Sequence, residues 1–148
     1  MIRQTVSVGD LVPLLKEKIA SGAKVTLRVK GTSMRPFYES GKTDVVLERL
    51  DGEPSRFDVI LYESPSGGYV LHRILRGKDG FYTVCGDALT SKEIISRKQI
   101  IARVVSSSKE GVVIPANDPK YLRKVRAWAF FKPLRWFLLA FRHHILGR

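Results

Sequence analysis

From Lys24 to Ile114 the chain is a succession of short apolar runs, and this pattern constrains the fold more than any other feature. The runs span 24–30, 44–49, 57–63, 69–76, 80–85, 99–107 and 111–114. They are rich in Val, Ile, Leu and Tyr and are separated by Gly, Ser, Asp or Pro. Runs of this length and composition, bounded by turn residues, are strands with a face to bury. A row of them makes a mainly β domain. Ser64-Pro65-Ser66-Gly67-Gly68 and Lys78-Asp79-Gly80 have the chemistry of tight turns and predict two antiparallel hairpins. Leu89 to Arg97 carries no strand pattern and reads as a connection with a short helical turn.

Helical periodicity occurs only at the two ends. Ser7 to Gly22 places Leu11, Leu14, Leu15 and Ile19 on one stripe, with Ser7 or Asp10 as cap and Gly22 as stop. Pro13 fits the first turn if Asp10 is the cap. A single helix before the first strand leaves no room for a helix-turn-helix. At the other end, Asn117-Asp118-Pro119 is a helix start. Lys132-Pro133 predicts a break or kink, after which Leu134, Phe137, Leu138, Phe141 and Ile145 share a stripe with Trp136 and Leu139 opposite. The expected organisation is a domain over 1–116 that includes helix 7–22, followed by a basic, aromatic-rich helical tail over 117–148.

At 148 residues and 44% apolar, the chain suffices for one domain with its own core. The single cysteine, Cys85, can form no intrachain disulfide, so nothing points to an oxidising compartment. Residues 1–5 open no apolar stretch of the kind a signal peptide needs, and no apolar run approaches the ~20 residues that span a bilayer. A cytoplasmic protein, at most peripheral to a membrane, is expected. Residues 119–148 hold eight Lys/Arg and no acid, so two thirds of the net charge of +12 lies in the last fifth of the chain. Such a block attracts nucleic acid, an anionic membrane surface or an acidic partner. Without a reader domain, nucleic acid is the least expected of these.

The candidate chemistry centres on Ser33. Lys30-Gly31-Thr32-Ser33-Met34-Arg35-Pro36 follows a strand pattern; Gly31 permits a sharp turn, and Pro36 keeps Arg35 out of helical geometry. A serine hydroxyl becomes a nucleophile only when a base takes its proton. His72 is either a core histidine satisfied by one backbone contact or the candidate base: alternation puts Val70, His72 and Ile74 on one strand face, where apolar surroundings favour the neutral imidazole. Arg73 then points away and reads as a structural or surface residue. Asp87, after Gly86 at a strand end, either accepts the His72 Nδ1 proton or makes an aspartate turn, with Asp58 and Asp44 as weaker rivals. A backbone N–H in the Gly31, Thr32, Met34 loop is the candidate oxyanion donor. Adjacent His143 and His144 diverge by ~100° on a helix and make no metal site. No cofactor is called for.

Four pieces in order, over roughly residues 24–105, resemble the S24/S26 peptidase superfamily, which comprises the type I signal peptidases and the LexA-like self-cleaving repressors. They are Gly31-Thr32-Ser33-Met34-Arg35-Pro36, Arg56-Phe57-Asp58-Val59-Ile60, Val70-Leu71-His72-Arg73 and Cys85-Gly86-Asp87. The resemblance implies that family's β fold and a serine endopeptidase with Ser33 as nucleophile. It implies His72 as base, as in the endoplasmic-reticulum and archaeal signal peptidases, where most bacterial members and the repressors have lysine. Gly41-Lys42-Thr43-Asp44 departs from the family by two inserted residues beside the site. Gly31 lacks a hydroxyl that some members carry there, which leaves Thr32 as the nearby substitute. The substrate implied is an extended peptide, such as a leader peptide. The competing reading is a non-catalytic binding module of the same fold that uses its tail on a membrane surface, nucleic acid or a protein partner. A self-cleaving regulator needs the reader domain that this sequence lacks. The tail itself has two readings, docked on the domain or a second copy, or laid in a membrane interface. On the second reading a chain ending at Asp118 still folds.

Overall fold

The computed structural model describes the backbone of residues 8–146 and the side chains of residues 12–134. It is mainly β, with one helix at each end of eight strands. In chain order these are α1 (Val8–Ala20), β1 (Val25–Arg28), β2 (Asp44–Glu48), β3 (Val59–Glu63), β4 (Tyr69–Lys78), β5 (Phe81–Cys85), β6 (Glu93–Ser96), β7 (Ile100–Lys109), β8 (Val112–Pro115) and α2 (Pro119–Leu146). All pairings are antiparallel, in the order β1-β2-β7-β3-β4-β5-β6, with β8 beside the end of β7. Both predicted hairpins form. Ser64 N–H donates to the Gly68 carbonyl across the β3–β4 turn, and Asp79 and Gly80 take positive φ values of 54° and 78° in the β4–β5 turn.

The sheet has a core on each face, and the central strands feed both. Val59 and Leu61 join one core, with Leu15, Ile19, Val25, Leu27, Met34, Val45 and Leu47. Ile60 and Tyr62 join the other, with Ile74, Tyr82, Val84, Ile95 and Ile100. The period of two therefore sends His72 to the second core's face and Arg73 to the first.

Four expectations need correction. The segment read as a connection holds a strand, β6, followed by a 3-10 turn at Arg97–Gln99. Its only apolar residues, Ile94 and Ile95, are adjacent between Glu93 and Ser96, and Ile94 faces solvent; the sequence there shows neither an alternation nor an apolar run. Helix α1 begins at Val8, so Asp10 lies within its first turn rather than capping it, and Ser7 is outside the described residues. The buried stripe of α1 is Val12, Leu15 and Ile19, while Leu14 is exposed; the side chain of Leu11 is outside the described set. Of the break or kink expected at Pro133, the break does not occur: helix α2 runs from Pro119 to Leu146 with Pro133 inside it. Proline inside a helix costs ~3 kcal/mol, and here the turn before it is anchored to the domain at Trp128 and Lys132.

That anchoring makes the start of the tail part of the domain. Tyr121 and Val125 are buried, and Asp118 caps the helix by accepting from the Tyr121 N–H at 2.9 Å. Phe37, four residues after Ser33, meets Tyr121 and Trp128 edge-on, with ring centroids 5.7 and 6.1 Å apart. Past Trp128 the helix turns apolar groups outward: Phe130, Phe131 and Leu134 are exposed. Of the outer stripe, Phe137, Leu138, Phe141 and Ile145, with Trp136, Leu139, His143 and His144, have side chains outside the described residues.

Candidate active site

The Ser33 loop leaves β1 through Gly31, whose φ of +83° is open to glycine at no steric cost. Its N–H is fixed by Ser40 Oγ at 3.0 Å, and Met34 is buried beneath it as the anchor. The Phe37 and Tyr38 N–H groups both bond the Met34 carbonyl, closing a tight turn around the cis Arg35–Pro36 peptide. Among the described residues the Ser33 and Met34 N–H groups have no hydrogen-bond partner, whereas the Ser33 carbonyl accepts from the Ala88 N–H at 2.9 Å. Thr32 is exposed. Ser33 lines a groove of about 140 Å³ together with Leu27, Val29, Leu61, Tyr69 and Leu71.

His72 comes from the middle of β4, opposite Ile60 of β3, and is buried. Gly86 lies between it and Ser33. A β-carbon built on Gly86 would stand 2.6 Å from the Ser33 carbonyl oxygen and 3.1 Å from His72 Nε2. Those two atoms are therefore no further apart than the sum of these distances, and only a residue without a side chain fits between them. Nε2 is the nitrogen turned toward the serine loop. No hydrogen bond joins Ser33 Oγ to the imidazole among the described residues; catalytic hydrogen bonds commonly tighten only when substrate is bound.

The other ring nitrogen does not meet Asp87. His72 Nδ1 lies 3.0 Å from Tyr62 Oη, the diagonal neighbour on the same face of β3, and Tyr62 Oη donates to Glu93 Oε1 at 2.7 Å. Glu93 Oε2 accepts from Ser64 Oγ at 2.6 Å. Asp87 instead takes a bidentate pair from Arg73, with Nε at 2.9 Å and Nη2 at 2.8 Å. The expected role of Asp87 as partner of His72 is thus replaced by a structural one, and Arg73 is a core residue rather than a surface one. Alternation explains this: Arg73 emerges on the face opposite His72, and Asp87 follows it there. Asp44 pairs with Arg28, and Asp58 accepts from the Ser55 N–H, so neither rival touches the imidazole.

Arg73 is 1% exposed and uses all three guanidinium nitrogens, giving further bonds to the Phe57 carbonyl and Tyr121 Oη. Burial works against its charge, but Asp87 outweighs this and raises the guanidinium pKa. Two residues of α2 also reach the Gly86–Asp87 segment, and neither carried a sequence signal. Trp128 Nε1 donates to the Asp87 carbonyl, and Lys132 Nζ to the Gly86 carbonyl, both at 2.8 Å; Lys132 Nζ also lies 3.3 Å from Cys85 Sγ.

These surroundings tune the imidazole. Burial lowers the His72 pKa below 6.5, Glu93 and Asp87 oppose the shift, and Lys132 adds to it. The ring is a neutral base at neutral pH. Partial burial of Glu93 favours its proton, but bonds from Ser64 and Tyr62 outweigh that and hold it below the usual carboxylate range. Burial, then Glu93, raises the Tyr62 phenol far above its ordinary value, so it stays protonated. Among the described residues no cluster of His, Cys, Asp or Glu could hold a metal, and no helix is long and apolar enough to cross a membrane. The chain matches no protein-family model and no curated protein by sequence.

Proposed function

We propose that the protein is a serine endopeptidase of the S24/S26 kind, with Ser33 as nucleophile and His72 as general base. One observation carries this reading: a buried, neutral histidine turns Nε2 toward the serine loop across a glycine that leaves room for nothing else. The substrate is a peptide in extended form, such as a leader peptide, lying in the Ser33 groove. Ser33 Oγ attacks the peptide carbonyl carbon and passes its proton to His72 Nε2. The developing oxyanion is met by the unpartnered N–H groups of the Ser33 turn. The imidazolium returns the proton to the leaving amine, and water then hydrolyses the acyl-enzyme by the same base.

The tail supplies the place of work. Exposed Phe130, Phe131 and Leu134 in an all-basic segment fit the interface of an anionic membrane, reached from the cytoplasmic side by a peripheral protein. A fluorophosphonate probe is expected to label Ser33 in the full chain and to fail on Ser33→Ala and His72→Ala. The full chain is expected to sediment with anionic vesicles and to release at ~0.5 M salt, where screening shortens electrostatic reach to a few ångströms. Vesicle binding without labelling at Ser33 would instead establish the non-catalytic binding module.

A further inference from the structure

We infer that Glu93, acting through Tyr62, is the positioning residue that fixes the tautomer of His72 and steadies its charged form, the place that a direct carboxylate holds in other serine enzymes. The inference rests on the peptidase reading for its purpose, and on hydrogen-bond directions for its substance. Glu93 has no proton to give, because Ser64 and Tyr62 hold it as a carboxylate that only accepts. The hydrogen between Tyr62 and Glu93 is therefore the phenol's own. A phenol has a single hydrogen, so Tyr62 Oη has none left for His72. The contact between Tyr62 Oη and His72 Nδ1 at 3.0 Å must then use a hydrogen on Nδ1. The neutral ring is the Nδ1–H tautomer, and its lone pair is on Nε2, the nitrogen facing Ser33.

The chain Glu93–Tyr62–His72 spans three strands and is built in throughout. Tyr62 has no exposed surface, and Glu93 Oε2 is pinned by Ser64 Oγ, whose residue is itself buried in the β3–β4 turn. When Ser33 Oγ gives its proton to Nε2, the ring becomes positive and carries a hydrogen on both nitrogens. The Nδ1 hydrogen stays in place against Tyr62, whose oxygen is polarised by the Glu93 carboxylate beyond it. Nothing in the relay is transferred; its work is orientation and charge. The groups that act on the imidazole come from every side: Tyr62 on β3, Glu93 on β6, Asp87 in the loop after β5, and Lys132 on α2. Glu93 and Lys132 pull in opposite directions, so variants of the two must move the ring oppositely.

The test is nitrogen-15 histidine NMR on the full chain, with His72 assigned against His143→Gln/His144→Gln, beside the pH dependence of fluorophosphonate labelling. The wild-type ring is expected to be the Nδ1–H tautomer at neutral pH. Glu93→Gln keeps an oxygen for the Tyr62 hydrogen, so the tautomer stays, while His72 titrates at lower pH and the acid limb of labelling follows it. Lys132→Met moves both upward. Tyr62→Phe removes the acceptor, releases the ring to its Nε2–H form, and slows labelling about 10- to 100-fold, as loss of an orienting partner commonly does. Because Tyr62 is in the core, Glu93→Gln is the deciding variant. An Nε2–H ring in the wild type, or the same His72 titration in Glu93→Gln, overturns the relay. If Ser33 labels in a His72-dependent manner under those results, the peptidase reading survives alone. If the tautomer and shifts are as expected but Ser33 never labels, the peptidase reading falls, and the relay stands as the orienting device of His72.

Discussion

Asp87 separates a structural role from a catalytic one, and the consequence of removing it can be worked from its surroundings. Asp87 and Arg73 are 4% and 1% exposed and share two hydrogen bonds below 3 Å. Asp87→Ala leaves the guanidinium buried with only the Phe57 carbonyl, Tyr121 Oη and the faces of the Phe37 and Tyr121 rings around it. An arginine cannot escape by losing its proton. Breaking a buried pair from one side costs about 3–5 kcal/mol. At roughly 3 °C per kcal/mol for a chain of this size, thermal unfolding should fall by about 10–15 °C. Asp87→Leu with Arg73→Met removes both charges and should recover at least half of that loss, because a buried ion pair adds little over apolar groups of similar size. The assay is thermal unfolding of Asp87→Ala, and of Asp87→Leu, Arg73→Met and their double read as a double-mutant cycle. If Asp87→Ala melts within about 2 °C of the wild type yet fails to label at Ser33, the ion pair is not structural. Asp87 would then return as the partner of His72.

Gly86→Ala forces a methyl to 2.6 Å from the Ser33 carbonyl, whose bond to Ala88 prevents retreat; overpacking costs about 1–3 kcal/mol, and displacement of the serine loop should slow labelling about 100-fold, so an unchanged rate refutes the close approach. The acid limb of labelling should lie below the range of an ordinary histidine, because burial holds His72 under its ordinary value of 6.5. The linked effect on folding has the same direction: below about 6.5 the unfolded chain takes up the proton first, so stability is full above that pH and declines as pH falls toward the folded value; rising stability through this window, followed by urea unfolding, contradicts a buried neutral ring. A chain ending at Asp118 loses Tyr121, Val125 and Trp128 from the core and should be strongly destabilised, whereas one ending at Leu134 keeps them and should melt near the full chain. Equal melting of the two truncations would show that residues 119–134 of α2 contribute nothing to the fold.

The fold was legible wherever a segment alternated or ran apolar between turn residues, β1 and β8 included although each has only four residues. β3 and β4 have the runs, and the turns between them the residues, that hairpins require, so the faces of Val70, His72 and Ile74 could be assigned from alternation alone. β6 could not be read, since its two apolar residues, Ile94 and Ile95, are adjacent and flanked by polar and charged ones, which shows neither an alternation nor an apolar run. The docking of α2 was hidden for another reason. Tyr121, Val125 and Trp128 bury one side of the helix against the domain, while Phe130, Phe131 and Leu134 put apolar groups on the outside, so the periodicity that marks a docked face is blurred. A segment that meets two environments cannot display a single stripe.

The site shows the same limit at the level of single groups. Ser33 is one of twelve serines and was singled out by the resemblance of its loop to a peptidase box, whereas His72 is the one histidine outside the adjacent pair His143 and His144. The partner of the base is any acceptor, so sequence reasoning favoured the nearest aspartate after a glycine. Alternation already counted against Asp87, since Arg73 leaves β4 on the face opposite His72 and a buried arginine takes whatever carboxylate reaches that face. What no pattern could supply is the tyrosine in between. Tyr62 looks like one more aromatic of a buried strand, and Glu93 is 31 positions further on, in the strand that could not be read. Core tyrosines need a partner for the hydroxyl. A phenol with no exposed surface, diagonal to a histidine, is therefore where the search for a relay should begin in a chain of this kind.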